Sequence, residues 1–436
     1  MSAPTVAFGT LGCRLNQVET QELQGALEAK GFRTVPFADR ADVVVINTCT
    51  VTARADFSDR QAIRRAARIN PDARIVVTGC WAQTSPALVG RVPGVDLVVG
   101  NSDKDRLADL VATLLGDATP QAHAPATHAT HIKTAGLLPR AVGRSRAFLK
   151  LQDGCQHRCA FCVVPLARGA SRSREVSVVL DQGRRLVESG HPELVLTGVD
   201  LGHYGADLVP RTTLAAVLRE MVGIPSLRWI RMSSLLPAYF TPELIDVVTR
   251  SSLIVPHLHV PLQSGSDRVL RRMRRPYTSA MYRRLVQGLA SAVPRLGLGA
   301  DVIVGFPGET DAEFEETLAL IDGLPLTYLH VFPYSDRPGT EATGLDGHLQ
   351  PSVITERGRR LRALGHAKNL TFRRSLLGGV EEVLVLESRD RVSGRLVGLT
   401  GNYVEIQFVG HDDLRGTMTH VRLTDVTPTA TVGELA

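Results

Sequence analysis

Hydrophobic positions in the first hundred residues fall into short unbroken runs separated by longer amphipathic ones. Residues 5–8, 43–46, 74–77 and 97–99 read as buried strands, and 16–30, 57–69 and 105–115 as helices, the first closed by Gly31 and the second by Asn70 and Pro71. This alternation predicts an open parallel sheet flanked by helices. The stretch after Leu115 breaks it, being rich in Ala, Thr, Pro and His with no apolar period, and reads as a linker. Its histidines, His123, His128 and His131, lack the regular spacing of metal ligands. A second series of strands follows at 147–151, 193–197, 227–232, 257–260, 300–304 and 328–332, separated by helical runs. Six repeats are too few for a closed eight-stranded barrel, so a partial, open-sided one is expected. A long helix over 352–374 leads into Gly378-Gly379, and β-rich runs at 383–387, 394–399, 403–408 and 416–422 then suggest a small barrel of the type that binds oligonucleotides. The expected organisation is therefore 1–116, a linker at 117–144, 145–374 and 375–436.

Composition adds a partner class. The formal charge of +6 is carried by arginine, clustered at Arg64, Arg65 and Arg68, at Arg271, Arg272, Arg274 and Arg275, and at Arg359, Arg360, Arg362, Arg373 and Arg374. Such an excess suits a polyanion, although any one cluster also reads as a solvated helix face. No apolar run reaches membrane length and the N-terminus lacks a signal-peptide pattern, so a cytoplasmic protein is expected. Six cysteines in 436 residues are too few for a disulfide scaffold; a reducing compartment keeps them as thiols for metal.

Half of those cysteines, Cys155, Cys159 and Cys162, form a C-x-x-x-C-x-x-C run within KLQDGCQHRCAFCVVPLARGASRSR. Three thiolates can hold a [4Fe-4S] cluster and leave its fourth iron open to a small molecule. Zinc, with His157 as fourth ligand, and inert buried cysteine are the alternatives. Cys13, Cys49 and Cys80 each follow one strand of the first series. In a parallel sheet those strand ends share one edge, where ligands bind, so the three thiols converge in space. Gly12 and Gly79 beside two of them permit a tight turn around a bulky group. A single strand-end cysteine is usually a small buried hydrophobe, but three at equivalent positions favour a second cluster. Loops after the second series of strands, 198–200, Ser233-Ser234, 261–266, 305–310 and 333–335, form a polar, glycine-rich rim suited to an amino acid joined to a nucleoside.

With these features placed, the chain resembles the radical S-adenosylmethionine (SAM) methylthiotransferases over nearly its whole length. The resemblance rests on GCRLNQVET at 12–20, NTCTVT at 47–52, residues 153–162, HVPLQSGS at 259–266 and DVIVGFPGET at 301–310. It implies that SAM is chelated at the open iron held by Cys155, Cys159 and Cys162, with Gly198, Ser234, Gln263, Ser264, Ile303 and Tyr334 around it. A second [4Fe-4S] cluster on Cys13, Cys49 and Cys80 would carry or supply sulfur and receive a methyl group from another SAM molecule. A one-electron reductant and an RNA-binding C-terminal module of the TRAM type are implied as well. With Tyr403 and Phe408 its only aromatic residues, that module is expected to touch phosphates more than to stack on bases. Asp301 stands where many radical SAM enzymes carry glycine. The family's substrates are tRNA with threonylcarbamoyladenosine next to the anticodon, tRNA with isopentenyladenosine there, and a ribosomal-protein aspartate. The first two motifs are closest to the threonylcarbamoyladenosine group, whose reaction places a methylthio group at C2 of the adenine at position 37. A monomer is expected. The rival of another class, a non-enzymatic iron–sulfur RNA-binding or redox-sensing protein, is disfavoured by the open coordination position and the rim loops.

Overall fold

The structure, a computed structural model, describes residues 3–115 and 145–436. The predicted linker at 117–144, with His123, His128 and His131, lies outside the described residues. The apolar runs of the first series form a five-stranded sheet in the order Arg33–Val35, Thr5–Thr10, Val43–Thr48, Arg74–Gly79, Leu97–Val99, parallel throughout. Helices cover both faces, which is why Val43–Thr48 is buried at every position and shows no alternation. Arg33–Val35 escapes a sequence reading because an edge strand so short carries no period. Strand order reverses between Thr5–Thr10 and Val43–Thr48, and ligands bind at such a switch point. The helical run read at 105–115 begins as a 3-10 turn, Asn101–Arg106, before the helix Leu107–Leu114.

The helix Arg14–Glu28 is buried on two sides. Leu23 and Leu27 pack with Val6 and Val43 of its own sheet, and Val18 packs with Phe148 and Val195 of the next. That second sheet system has two parallel halves. Arg146–Lys150, Glu193–Thr197 and Trp229–Met232 form one, and His257–His259, Gly297–Val304 and Tyr328–Pro333 the other. A parallel bridge between Ile230 and Ile254 joins them. The outer strands, Arg146–Lys150 and Tyr328–Pro333, do not pair among the described residues, so the barrel is partial and open at the side. Along Gly297–Val304, Leu298, Ala300, Val302 and Val304 join the core under the helices, leaving Asp301 and Ile303 to the inner face.

After the helix Pro351–Ser375 the chain closes a five-stranded barrel: Val380–Val385, Leu396–Thr400, Glu405–Phe408, Thr431–Leu435, Met418–Val426. The fifth strand, Thr431–Leu435, was not among the four expected; its half-exposed TVGEL sequence gives little period. Both aromatic residues assigned to this module are engaged inside the protein. Phe408 is fully buried in the module's own core. Tyr403, at φ +71, enters the partial barrel, where it stacks on His257 at 4.4 Å between centroids and lies 5.2 Å from the Arg231 guanidinium. Its hydroxyl accepts a 2.6 Å hydrogen bond from Arg14. Arg231, itself fully buried and paired with Glu193 at 2.6 Å, also donates to the carbonyls of Thr400 and Gly401. No helix among the described residues is long and apolar enough to cross a membrane.

Candidate active site

The loop after Arg146–Lys150 carries Cys155, Cys159 and Cys162, all half-buried and free of disulfide bonds. Burial, and then neighbouring negative charge, pushes the Cys155 thiol up to about 12; burial takes Cys162 to about 11. Cys159 lies 3.2 Å from an Arg275 Nη1 donor. Left to themselves the thiols of Cys155 and Cys162 hold their protons at neutral pH, so a bound cation must displace them. The rim around this loop contains buried polar atoms with no partner among the described residues: Ser233 Oγ, Gln263 Oε1 and Arg275 Nη2. Gln263 also holds φ +68, a strained conformation for a non-glycine residue and one that accumulates at ligand sites.

The other thiols come together across the switch point. Cys13 and Cys80 both raise the Cys49 thiol, which burial takes to about 12, and Cys13 acts likewise on Cys80. Gly12 holds φ +90, and a Cβ there would sit 2.8 Å from Cys49 Sγ. Gly79 holds φ +101, and its Cβ would meet the Thr48 carbonyl at 2.4 Å. These positions are closed to side chains because the backbones crowd around the sulfurs. Asn101 Nδ2 lies 3.6 Å from Cys80 Sγ and donates to the Ala167 carbonyl, tying this triad to the other loop.

A buried ionic knot joins the two sites. Glu19 accepts from Lys104 at 2.6 Å, Lys150 at 2.9 Å and Arg168 at 2.7 Å; Asp153 accepts from Lys150 at 2.9 Å and Arg168 at 3.0 Å. Arg168 also donates to Asn16 at 2.6 Å. These cations hold the Asp153 and Glu19 carboxyls below the usual carboxylate range against the opposing effect of burial. Asp153 precedes Cys155 by two residues and Asn16 follows Cys13 by three, so Arg168 fixes one cysteine loop against the other. Arg168→Ala leaves two carboxylates short of their shared cation; a loss of about 3–5 kcal/mol in unfolding free energy is expected, read by urea denaturation of the purified chain.

Neither triad gathers its sulfurs to within the 4.8 Å that a single ion's ligands show; among the described residues only His259, Asp301 and His330 do so. A tetrahedral zinc with bonds of about 2.3 Å requires sulfurs about 3.8 Å apart. His157, the expected fourth zinc ligand, gives its Nε2 to Tyr239 at 2.7 Å and Asp200 at 3.3 Å. Three thiols without a free fourth ligand suit mononuclear zinc poorly; either triad would instead suit a polynuclear cluster with one open iron.

Residues 5–100 match the uncharacterized protein family UPF0004 and residues 149–321 the radical SAM superfamily. The threonylcarbamoyladenosine tRNA methylthiotransferase MtaB of Bacillus subtilis is 40% identical over 96% of this chain and 93% of its own length. This chain belongs to the radical SAM methylthiotransferase family. A second relative, the MtaB of Aquifex aeolicus, is 39% identical over 94% of this chain and 98% of its own. The tRNA-2-methylthio-N(6)-dimethylallyladenosine synthase of Erythrobacter litoralis is 34% identical over 100% and 98%. Among solved structures, the radical SAM methyltransferase TsrM of Kitasatospora setae shares the fold, with a TM-score of 0.58, 18% identity, and coverage of 76% of this chain and 75% of that one.

Within this methylthiotransferase the expected SAM residues separate. Ile303 and Tyr334 pack on the same apolar cluster as Ala160 and Phe161 of the cysteine loop, and Gln263 holds a buried, unpartnered oxygen. Gly198 packs on Gln152, where a Cβ would lie 3.0 Å from Oε1, so it backs the loop. Ser234 is exposed; it is the neighbouring Ser233 that holds a buried, unpartnered hydroxyl. Ser264 is fully buried, and its hydroxyl accepts from the Ser266 amide and contacts the Thr317 hydroxyl. Sequence reasoning missed Arg275, Arg168, Asn16 and Asn101. Only the position of Arg168, six residues past Cys162, gave any signal. Asp301, which replaces a glycine, lines the inner face and binds His259 at 2.9 Å and His330 at 3.2 Å.

Proposed function

We propose that this protein inserts a methylthio group at C2 of N6-threonylcarbamoyladenosine next to the tRNA anticodon. The observation carrying the reading is end-to-end similarity to relatives of that name at up to 40% identity, combined with two cysteine loops tied together by Asn101 and Arg168. The lower identity of the dimethylallyladenosine relative places isopentenyladenosine second. Cys155, Cys159 and Cys162 would hold the SAM-binding [4Fe-4S] cluster, and Cys13, Cys49 and Cys80 the second. An aromatic C–H is not acidic, and the bound clusters with SAM supply the one-electron and sulfur-delivering chemistry that no side chain offers.

The chain's own residues bind and orient. Arg275 sets a positive charge against Cys159, while Ser233 and Gln263 offer polar atoms to SAM, and Ile303 and Tyr334 an apolar wall. Arg168 and Asn101 keep the two cysteine loops in one register. The open side of the barrel admits a macromolecule. A reducing cytoplasm, which keeps all six cysteines as thiols, is the proposed compartment; a separate one-electron donor is required, and the protein is taken to act as a monomer.

The test is mass spectrometry of tRNA nucleosides from cells with and without the gene. Disappearance of 2-methylthio-N6-threonylcarbamoyladenosine, with its precursor accumulating, is expected. Loss of the isopentenyladenosine derivative instead selects the second substrate, and an unchanged profile overturns the tRNA reading.

A further inference from the structure

The structure sorts the arginine clusters by what they face. Arg272 and Arg274 pair with Asp346 and Glu341 at 2.8 Å, and Arg275 points to Cys159. Arg359 and Arg360 pair with Glu356 and Glu315 at 2.6 Å, and Arg373 donates to carbonyls of the C-terminal barrel. The helix Ala53–Ile69 differs. Arg54, Arg64, Arg65 and Arg68 are exposed on it, and none has a carboxylate partner among the described residues. Its two acids turn inward, Asp56 to Arg337 at 2.7 Å and Asp59 to the Cys49 amide at 3.1 Å. What this helix shows to solvent is one sign of charge, together with Phe57, a large aromatic side chain 58% exposed.

The stripe also starts at the mouth. Cys49 precedes the helix by a few residues, Thr52 caps it, and its first amide, at Ala53, donates to Ser335 beyond the strand Tyr328–Pro333. From Arg54 to Arg68 the helix advances about 21 Å, a length that spans several backbone phosphates. Guanidiniums in a row without carboxylate partners, Arg65 resting over the Phe37 ring, suit a phosphate backbone, and an exposed ring beside the mouth suits an unstacked base.

We propose that the outer face of the helix Ala53–Ile69 is the docking rail for the RNA substrate: Arg54, Arg64, Arg65 and Arg68 grip phosphates flanking the target nucleotide, and Phe57 stacks on a neighbouring base. The proposal rests on the tRNA reading above. Base stacking falls to Phe57 in this arrangement, since Tyr403 and Phe408 are engaged inside the protein.

The test compares the cluster-loaded full chain with its R64Q/R65Q/R68Q variant, using a labelled RNA hairpin that carries N6-threonylcarbamoyladenosine in its loop. Expected is a weakening of roughly tenfold or more, and a fall of roughly two to three in the slope of log affinity against log salt. Phe57→Ala should weaken binding roughly tenfold while leaving the salt slope alone, because stacking releases no counterions. The paired set R359Q/R360Q is the control for position and should bind as the parent does. Unchanged affinity and slope in the triple variant, or an equal loss in the control, overturns the rail. Competition by polyglutamate as effective as by RNA marks a general polyanion surface and overturns it too. Failure of the parent chain to bind the hairpin at all strikes the tRNA reading itself, a separate outcome.

Discussion

Cys159→Ala is expected to abolish reductive cleavage of SAM, with 5′-deoxyadenosine falling at least about a thousandfold, as when one member of a unit that acts together is removed. The neighbouring donors are already engaged: His157 is held by Tyr239 and Asp200, and Asp200, 3.8 Å from Cys155 Sγ, accepts from the Tyr239 hydroxyl at 3.0 Å. The substitution also strips Arg275, half-buried beside it, of the sulfur that its Nη1 faces, so the loop loses a ligand and Arg275 a partner. Anaerobic incubation with dithionite and SAM, followed by chromatography, measures the outcome. Formation of 5′-deoxyadenosine at the parent rate would remove Cys155, Cys159 and Cys162 as the SAM-cleaving site.

Cys49→Ala separates the two sites. Here 5′-deoxyadenosine formation persists, while the methylthiolated nucleoside is lost below detection. The variant should fold, because the Asp59 carboxylate is bound by the Cys49 backbone amide and the deleted atom is one sulfur at the edge of the sheet. Iron content should drop by about half, reflecting one cluster in place of two. Full methylthio transfer by this variant would take the sulfur role away from Cys13, Cys49 and Cys80. Loss of both activities would mean that the ionic knot transmits damage from one triad to the other.

Much of this was readable from the chain because the relevant signals are local. Apolar runs buried on both faces mark parallel strands, and a cysteine immediately beyond each run falls at the same sheet edge. The knot was not readable. Arg168, Arg172 and Arg174 sit in one short stretch and look alike in sequence, yet Arg168 reaches Glu19, 149 residues away, Arg172 turns to Asp153 and Arg174 to Glu22; nothing local tells which carboxylate each guanidinium will find. Ser233 and Ser234 pose the same problem one residue apart, since the path of the loop after Trp229–Met232 decides which hydroxyl is buried. Two of the overlooked strands, Arg33–Val35 and Thr431–Leu435, are short and partly polar, and their pairing comes from neighbours distant in sequence. Tyr403 was legible as an aromatic residue in a β-module, but its destination inside another sheet was not.

That destination limits how this protein can be taken apart or recombined. Because Tyr403 reaches through His257 and Arg231 to Arg14, and Arg14 adjoins Cys13, the last sixty residues help to position the first sulfur ligand. A C-terminal module borrowed from a relative will serve only if its turn equivalent to 400–403 carries the same plug. Deletion of the module will open the barrel floor and unsettle the N-terminal thiols together. The module is therefore a structural support of the catalytic body as well as a domain of its own.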